Sequence, residues 1–170
     1  MSFSASRVWD VRTTLRLGGS RLDASGALGN PDDRLDFRLE SDNLAVIDPD
    51  VGGTGRASGF VEGRFTALSG NVKAQAANLS WQRQYRLAAV QASALMGKGI
   101  DGPLHVESSM RGLVTPQLRI DRASVAAEGT RDSHALQLAA KNETFDLQGR
   151  FAGGWREGSG WRGEVQELAN

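Results

Sequence analysis

Cysteine is absent from the 170 residues. Its absence excludes a disulfide scaffold, a thiolate zinc site, an iron–sulfur cluster and a cysteine nucleophile. Lysine occurs only at Lys73, Lys98 and Lys141, so arginine carries nearly all the positive charge, a usage we read as genome bias. Histidine appears twice, tyrosine once and proline four times. There is no excess charge of either sign: 20 basic residues balance 20 acidic ones. Nucleic acid therefore has no electrostatic claim as a partner. No run approaches the roughly 18 apolar residues of a membrane span, and no basic-then-apolar leader opens the chain. Met1-Ser2-Phe3-Ser4 leads almost at once into patterned sequence, as expected of a piece cut from a longer protein.

Glycine is plentiful, at 21 residues, where about 7% is ordinary usage. Combined with little proline, this suits many short strands and turns. Period two dominates the chain. Leu35, Phe37 and Leu39 alternate with Arg34, Asp36, Arg38 and Glu40, the pattern of a half-buried strand with one apolar and one charged face. The same alternation runs through Leu15 and Leu17, through Leu22 to Leu28, through Val61 to Ala67, through Val72 to Ala76, through Leu104 to Met110, through Leu136 and Leu138, and through Phe145 to Phe151. Leu118 and Ile120 are even-numbered, whereas Ala123, Val125 and Ala127 are odd. Keeping one face apolar there requires a bulge or a corner across Asp121-Arg122. Residues Tyr85 to Met96 also fit a helical stripe, but strand-like flanks and the lack of an N-cap box favour strand. Turn signals such as Gly29-Asn30-Pro31-Asp32, Asp101-Gly102-Pro103 and Gly153-Gly154 divide the chain into about ten or eleven strands. The expectation is one all-β domain over residues 1–170, antiparallel and meandering. Its apolar face is covered by a second sheet or left open as a groove; alternation alone writes both.

Catalytic and ligand-binding motifs are weak. Gly53-x-Gly55-x-x-x-Gly59 misses the dinucleotide fingerprint by one residue and leads into a strand, so its glycines are assigned to loop and strand. Asp48-Pro49-Asp50 opens like a calcium loop but lacks the later oxygen ligands, leaving a turn. His105 and His134 are placed on the polar face. No Gly-x-Ser-x-Gly elbow exists. The carboxylates are taken as cross-strand partners of the interleaved arginines. Asn78-Leu79-Ser80 and Asn142-Glu143-Thr144 match the glycosylation pattern, which is short and often accidental. Trp9, Trp81, Trp155 and Trp161 are expected at the ends or edges of an apolar groove, each with one ring edge in water.

The C-terminal third carries a recognisable pattern. Gly129-Thr130 precedes His134-Ala135-Leu136-Gln137-Leu138; Leu147-Gln148-Gly149 and Trp155 follow; the end is Gly160-Trp161-Arg162-Gly163-Glu164-Val165-Gln166-Glu167-Leu168. With Ala77-Asn78-Leu79-Ser80-Trp81, Asp101-Gly102-Pro103-Leu104 and Leu118-Arg119-Ile120-Asp121, this resembles the strand repeats of the TamB family, the inner-membrane component of the bacterial translocation and assembly module. The resemblance covers about residues 70–170.

The resemblance implies a fold and a role. The fold is a long curved antiparallel sheet folded like a taco, apolar inside and polar outside. The chain is then an internal or late periplasmic segment of a protein anchored in the inner membrane by an N-terminal helix absent here. Its partners are an outer-membrane TamA-type barrel protein and phospholipid acyl chains, and it supports outer-membrane protein assembly. It is not an enzyme and needs no cofactor or metal. The groove would be lined by Leu15, Leu17, Leu35, Phe37, Leu39, Val61, Phe65, Val72, Leu104, Val106, Met110, Leu118, Ile120, Leu136, Leu138, Phe145, Leu147 and Phe151. Two rival readings remain: a chaperone that binds nascent outer-membrane strands in the groove or at a sheet edge, and a carbohydrate-active β-sandwich enzyme.

Overall fold

The computed structural model describes residues 8–65, 67–82, 84–156 and 160–169. Met1-Ser2-Phe3-Ser4, Thr66 and the side chain of Trp9 lie outside the described residues. The chain forms β1 (Val8–Leu17), β2 (Ser20–Leu28), β3 (Arg34–Ser41), β4 (Val51–Arg64), β5 (Ala67–Trp81), β6 (Tyr85–Met96), β7 (Pro103–Val114), β8 (Arg119–Thr130), β9 (His134–Lys141), β10 (Asp146–Arg156) and β11 (Gly160–Ala169). Residues 85–96 are strand, as their flanks predict.

The eleven strands make one sheet in strict chain order, every pair antiparallel. Short turns leave no room for crossovers, so each strand pairs with the next. Extensive contact exists only between sheet neighbours, plus a single 3-10 turn at Leu44–Val46 that packs on β4. Among the described residues no second layer covers the apolar face, so they form a single sheet and not a sandwich.

Cross-strand register lines up the alternating residues. One row runs Leu15, Leu22, Leu39, Ala57, Ala74, Ala92, Ser108, Val125, Leu138, Gly149, Leu168, touching every strand. The next runs Thr13, Ala24, Phe37, Gly59, Val72, Ala94, Val106, Ala127, Leu136, Phe151, Val165. Because residues directly opposite share a face, these rows are continuous apolar stripes across the sheet. With strands about 4.8 Å apart, eleven of them span roughly 48 Å.

The corner expected at Asp121-Arg122 exists, but it is not confined to β8. Bridges are skipped in one line through Asn78, Ala88, Gly112 and Asp121, and β5 bulges there, setting Asn78 and Leu79 opposite the single Gly53 of β4. Gly53, Asn78 and Gly112 take positive φ of 114°, 52° and 66°. Across this line the apolar positions change parity in every strand: Ala76 to Leu79, Val90 to Leu87, Met110 to Leu113, Ala123 to Ile120. An unpaired residue in each strand re-aims the side chains beyond it and bends the strand. The shared line is thus a crease that curves the central strands into a groove.

The charged face is held mostly along strands, not across them as expected. Arg21 pairs with Asp23 at 2.6 Å, Arg34 with Asp36 at 2.9 Å, Arg38 with Glu40 at 2.6 Å and Arg119 with Asp121 at 3.3 Å. Residues two apart in a strand share a face, which brings each pair together. Arg150–Glu167 at 3.4 Å is a true cross-strand pair. Hydrogen bonds from Arg21, and then from Thr14, hold the Asp23 carboxyl below its ordinary value; Arg34 does the same for Asp36 and Arg38 for Glu40. Depressed carboxylate values add stability above the ordinary carboxylate range, and that stability is lost as pH falls through the depressed values. Melting temperature is therefore expected to fall on acidification from neutral to about pH 3, and less steeply at high salt, because exposed pairs are screened.

Like charges oppose each other at two places: Arg16 lies across from Arg21 near one edge, and a longer run lies in β7–β9. Arg111 lies directly across from Arg122, and Arg122 across from Lys141. Like charges directly opposed are destabilising. Arg122→Glu is expected to raise stability by about 0.5 kcal/mol, read as a shift in the urea midpoint.

Candidate functional site

The apolar side of the sheet has almost no core beneath it. Among the described residues only Leu28 and Ala127 are buried hydrophobics. Accessible surface totals 11761 Å², against roughly 8,100 Å² for a compact chain of this mass. Along β3 the apolar residues are half-buried while the charged ones between them are exposed. With no layer above them, that shielding comes from neighbours in the rows and from the bend of the sheet. At the two ends the face opens: Leu15 is 58% and Leu17 62% exposed in β1, and Val165 61% and Leu168 66% in β11.

The structure brings most of the sequence-predicted positions onto this face. Leu15, Leu39 and Leu138 stand in the first row; Phe37, Val72, Val106, Leu136 and Phe151 in the second. Leu35, Val61 and Leu104 belong to a third row on one side, and Leu17, Met110 and Leu147 to a fourth on the other. Ile120 lies beyond the crease, opposite Leu113. Phe65, Leu118 and Phe145 sit in turns between strands. Thr115 and Leu118 close one of these turns (N–O 2.9 Å), and Asn142 and Phe145 close another (N–O 3.0 Å).

Sequence reasoning chose the large residues and left out the small ones that complete the rows. Ala57, Ala74, Ala92 and Ser108 form an unbroken small-residue run through β4–β7 in the first row. The face is consequently shallow-walled in its middle and lined by leucine and phenylalanine toward both ends. Phe37 stands opposite Gly59, and the Phe151 ring lies over Gly149, 2.9 Å from where a Cβ would be.

The rims of the groove are specific. At one end of the strands, the Leu44–Val46 turn brings Val46 against Gly18 and Leu44 against Gly55. Asn43 caps this turn, accepting from the Ala45 N–H at 3.1 Å. Near it Ser20 and Ser41, both buried, satisfy each other across the strands at 2.7 Å. At the other end Arg131 acts as a tie. Its N–H donates to the Ile100 carbonyl at 3.2 Å, its carbonyl accepts from the Trp155 N–H at 2.8 Å, and its guanidinium donates to the Leu68 carbonyl on β5.

His134 corrects the sequence reading. It pairs with Gly129 and Gly153 in the third apolar row, so it stands on the apolar face, not the polar one. Its Nδ1 is 3.0 Å from the Thr130 carbonyl, which can only accept, so Nδ1 carries the proton. Nε2 then accepts from Trp161 Nε1 at 2.8 Å. His105 lies on the charged face, 3.3 Å from Glu107. Trp81 stacks on Tyr85 at 5.5 Å beside the β5–β6 turn, and Trp155 opposes Trp161 beside the β10–β11 turn. Three of the four tryptophans therefore stand at strand ends with part of each ring in water.

The weak motifs have structural roles. Asp48 accepts from the Asp50 N–H at 2.9 Å, forming a turn. Asn142 accepts from Thr144 and Phe145 and donates to the Arg119 carbonyl. Gly52 to Gly59 lie inside β4. No cluster of metal-ligating side chains occurs among the described residues, and no helix there is long and apolar enough to cross a membrane.

A single creased meander with one uncovered apolar face and one ion-paired face defines an open β-groove protein. The chain belongs to the TamB family: the family model described as TamB, N-terminal domain, matches residues 3–169. The likeness read from about residues 70–170 thus extends over almost the whole chain, and the model describes an N-terminal domain where the sequence suggested an internal or late piece. No solved structure matches this chain.

Proposed function

We propose that this chain is a periplasmic groove segment that carries phospholipid acyl chains between the inner and outer membranes. It works within a protein that is anchored in the inner membrane, supports outer-membrane protein assembly and acts with a TamA-type barrel partner. One observation carries the reading: the mainly apolar rows cross all eleven strands, and no layer of described residues covers them. Large uncovered apolar faces mark binding surfaces. Acyl chains suit a face of this composition, because each buried CH₂ gives about 0.8 kcal/mol without needing a specific contact. Phosphate head groups stay in water at the rim. We read the groove as a binding surface and not a catalytic one; the ring of His134 in its third row is engaged on both nitrogens.

The test is native mass spectrometry of the purified chain, with organic extraction of whatever co-purifies. Bound phospholipid is the expected result. A clean apo mass that refuses added phospholipid would overturn the lipid reading and favour the strand-binding chaperone.

A further inference from the structure

We propose that the charged face carries an anion site in β7–β9, where Arg111, Arg122 and Lys141 together bind a phosphate monoester. The three residues stand directly opposite one another on neighbouring strands. At about 4.8 Å per strand, their row spans roughly 10 Å. All three line one concavity of about 500 Å³. Gln91, Ser109 and Ser124, paired in the next row on the same face, line it too. Ala89 and Ala139 have no side chain long enough to fill it.

The charge of this row is not answered within the sheet. Among the described residues Lys141 pairs with Asp146, while Arg111 and Arg122 are exposed and form no ion pair. The carboxylates nearest them in sequence on this face are engaged elsewhere, Asp121 with Arg119 and Glu107 with His105. The other opposed pair, Arg16 and Arg21, is different, because Asp23 pairs with Arg21 at 2.6 Å. A row of unrelieved like charge weakens the sheet, and an anion bound across it removes that cost. Three cations and the one carboxylate of Asp146 leave two positive charges uncompensated. A phosphate monoester carries about 1.5 to 2 negative charges at neutral pH and presents three acceptor oxygens. Guanidinium groups meet those oxygens with paired N–H donors. The hydroxyls of Ser109 and Ser124 and the amide of Gln91 add neutral donors. This site lies on the face opposite the apolar rows, so it does not depend on acyl-chain carriage.

Two probes test it at constant ionic strength. Glycerol 3-phosphate, titrated by calorimetry, presents the group in solution; phosphatidylcholine vesicles containing phosphatidic acid, read by flotation, present it on a lipid. Saturable binding of at least one probe is expected, and which probe binds tells the source of the ligand. Arg122→Glu is expected to weaken that binding at least tenfold while raising the urea midpoint, so lost binding cannot be mistaken for lost fold. Arg16→Glu is the matched control. It makes the same change in net charge at the other opposed pair, and it is expected to bind as the parent does. Only the part of vesicle binding that Arg122→Glu removes belongs to this site, which separates it from any lipid held by the apolar face. Neither probe binding overturns the proposal, as does binding unchanged by Arg122→Glu or weakened equally by Arg16→Glu.

Discussion

Phe37→Asp and Leu138→Asp are each expected to strip phospholipid from the chain, while Arg34→Ala leaves binding near the wild-type level. Phe37 stands in the second apolar row and Leu138 in the first, on opposite sides of the central strands. A carboxylate at either site faces the path of an acyl chain. Keeping it charged against hydrocarbon costs several kcal/mol, and each 1.4 kcal/mol is tenfold in affinity. A loss of at least about a hundredfold follows. Neither site is a buried core position: Phe37 is half-buried and Leu138 is 36% exposed, so an empty groove solvates the new carboxylate and the fold survives. Arg34 lies on the other face, paired with Asp36 and stacked 3.6 Å over the Phe60 ring. Its removal touches only exposed contacts, whose value is small. Titration with a fluorescent phospholipid reads all three variants. Equal occupancy among them would remove the apolar rows as the lipid site.

How much of this architecture was legible depends on what the alternation could carry. Strands with a clean large–charged alternation, such as Leu35 to Leu39, declared both their extent and their faces. The crease was legible only in β8, where Ile120 and Ala123 put the change of parity on record. In β6 the same change falls on Ala88-Ala89, where either parity is compatible with a small residue, and it left no mark. Phe65, Leu118 and Phe145 continue the parity of Val61, Ile120 and Leu147, so alternation counted them as lining. Parity runs past the end of a strand, but backbone direction does not, and all three sit in turns. His134 shares the parity of Leu136 and Leu138, and that signal was present in the sequence. Counting it as out of phase with its apolar neighbours suggested the wrong face. The ion pairs were misplaced for another reason: one list of alternating charges describes pairs along a strand and pairs across strands equally well, and only register separates them.

Gly53→Ala tests the crease, and here the expected effect is on stability. Gly53 has φ of 114°, a region that side-chain-bearing residues rarely enter. A Cβ there would lie 2.7 Å from the carbonyl oxygens of both Ala77 and Asn78. Those carbonyls belong to the β5 backbone at the bulge, so they cannot swing away as a side chain could. Backbone strain of this kind costs about 1–3 kcal/mol, and the contact with two carbonyls puts the loss at the upper end. For a chain of this length, that corresponds to a fall in melting temperature of roughly 6–12 °C. Gly55→Ala, two residues along the same strand, is the control. Its Cβ would meet Leu44 Cδ2 at 3.5 Å, an ordinary contact, and its backbone carries no left-handed strain. Removing a glycine from extended backbone also restricts the unfolded chain, so this variant is expected to match or exceed the parent. Thermal melts followed by far-ultraviolet circular dichroism distinguish the two. If Gly53→Ala melts with Gly55→Ala, the crease is not a strained line fixed by its glycine, and the bend of the central strands has another cause. If Gly53→Ala alone is destabilised, the curvature that shields the apolar rows is built into β4 and β5 by residues that never face the groove.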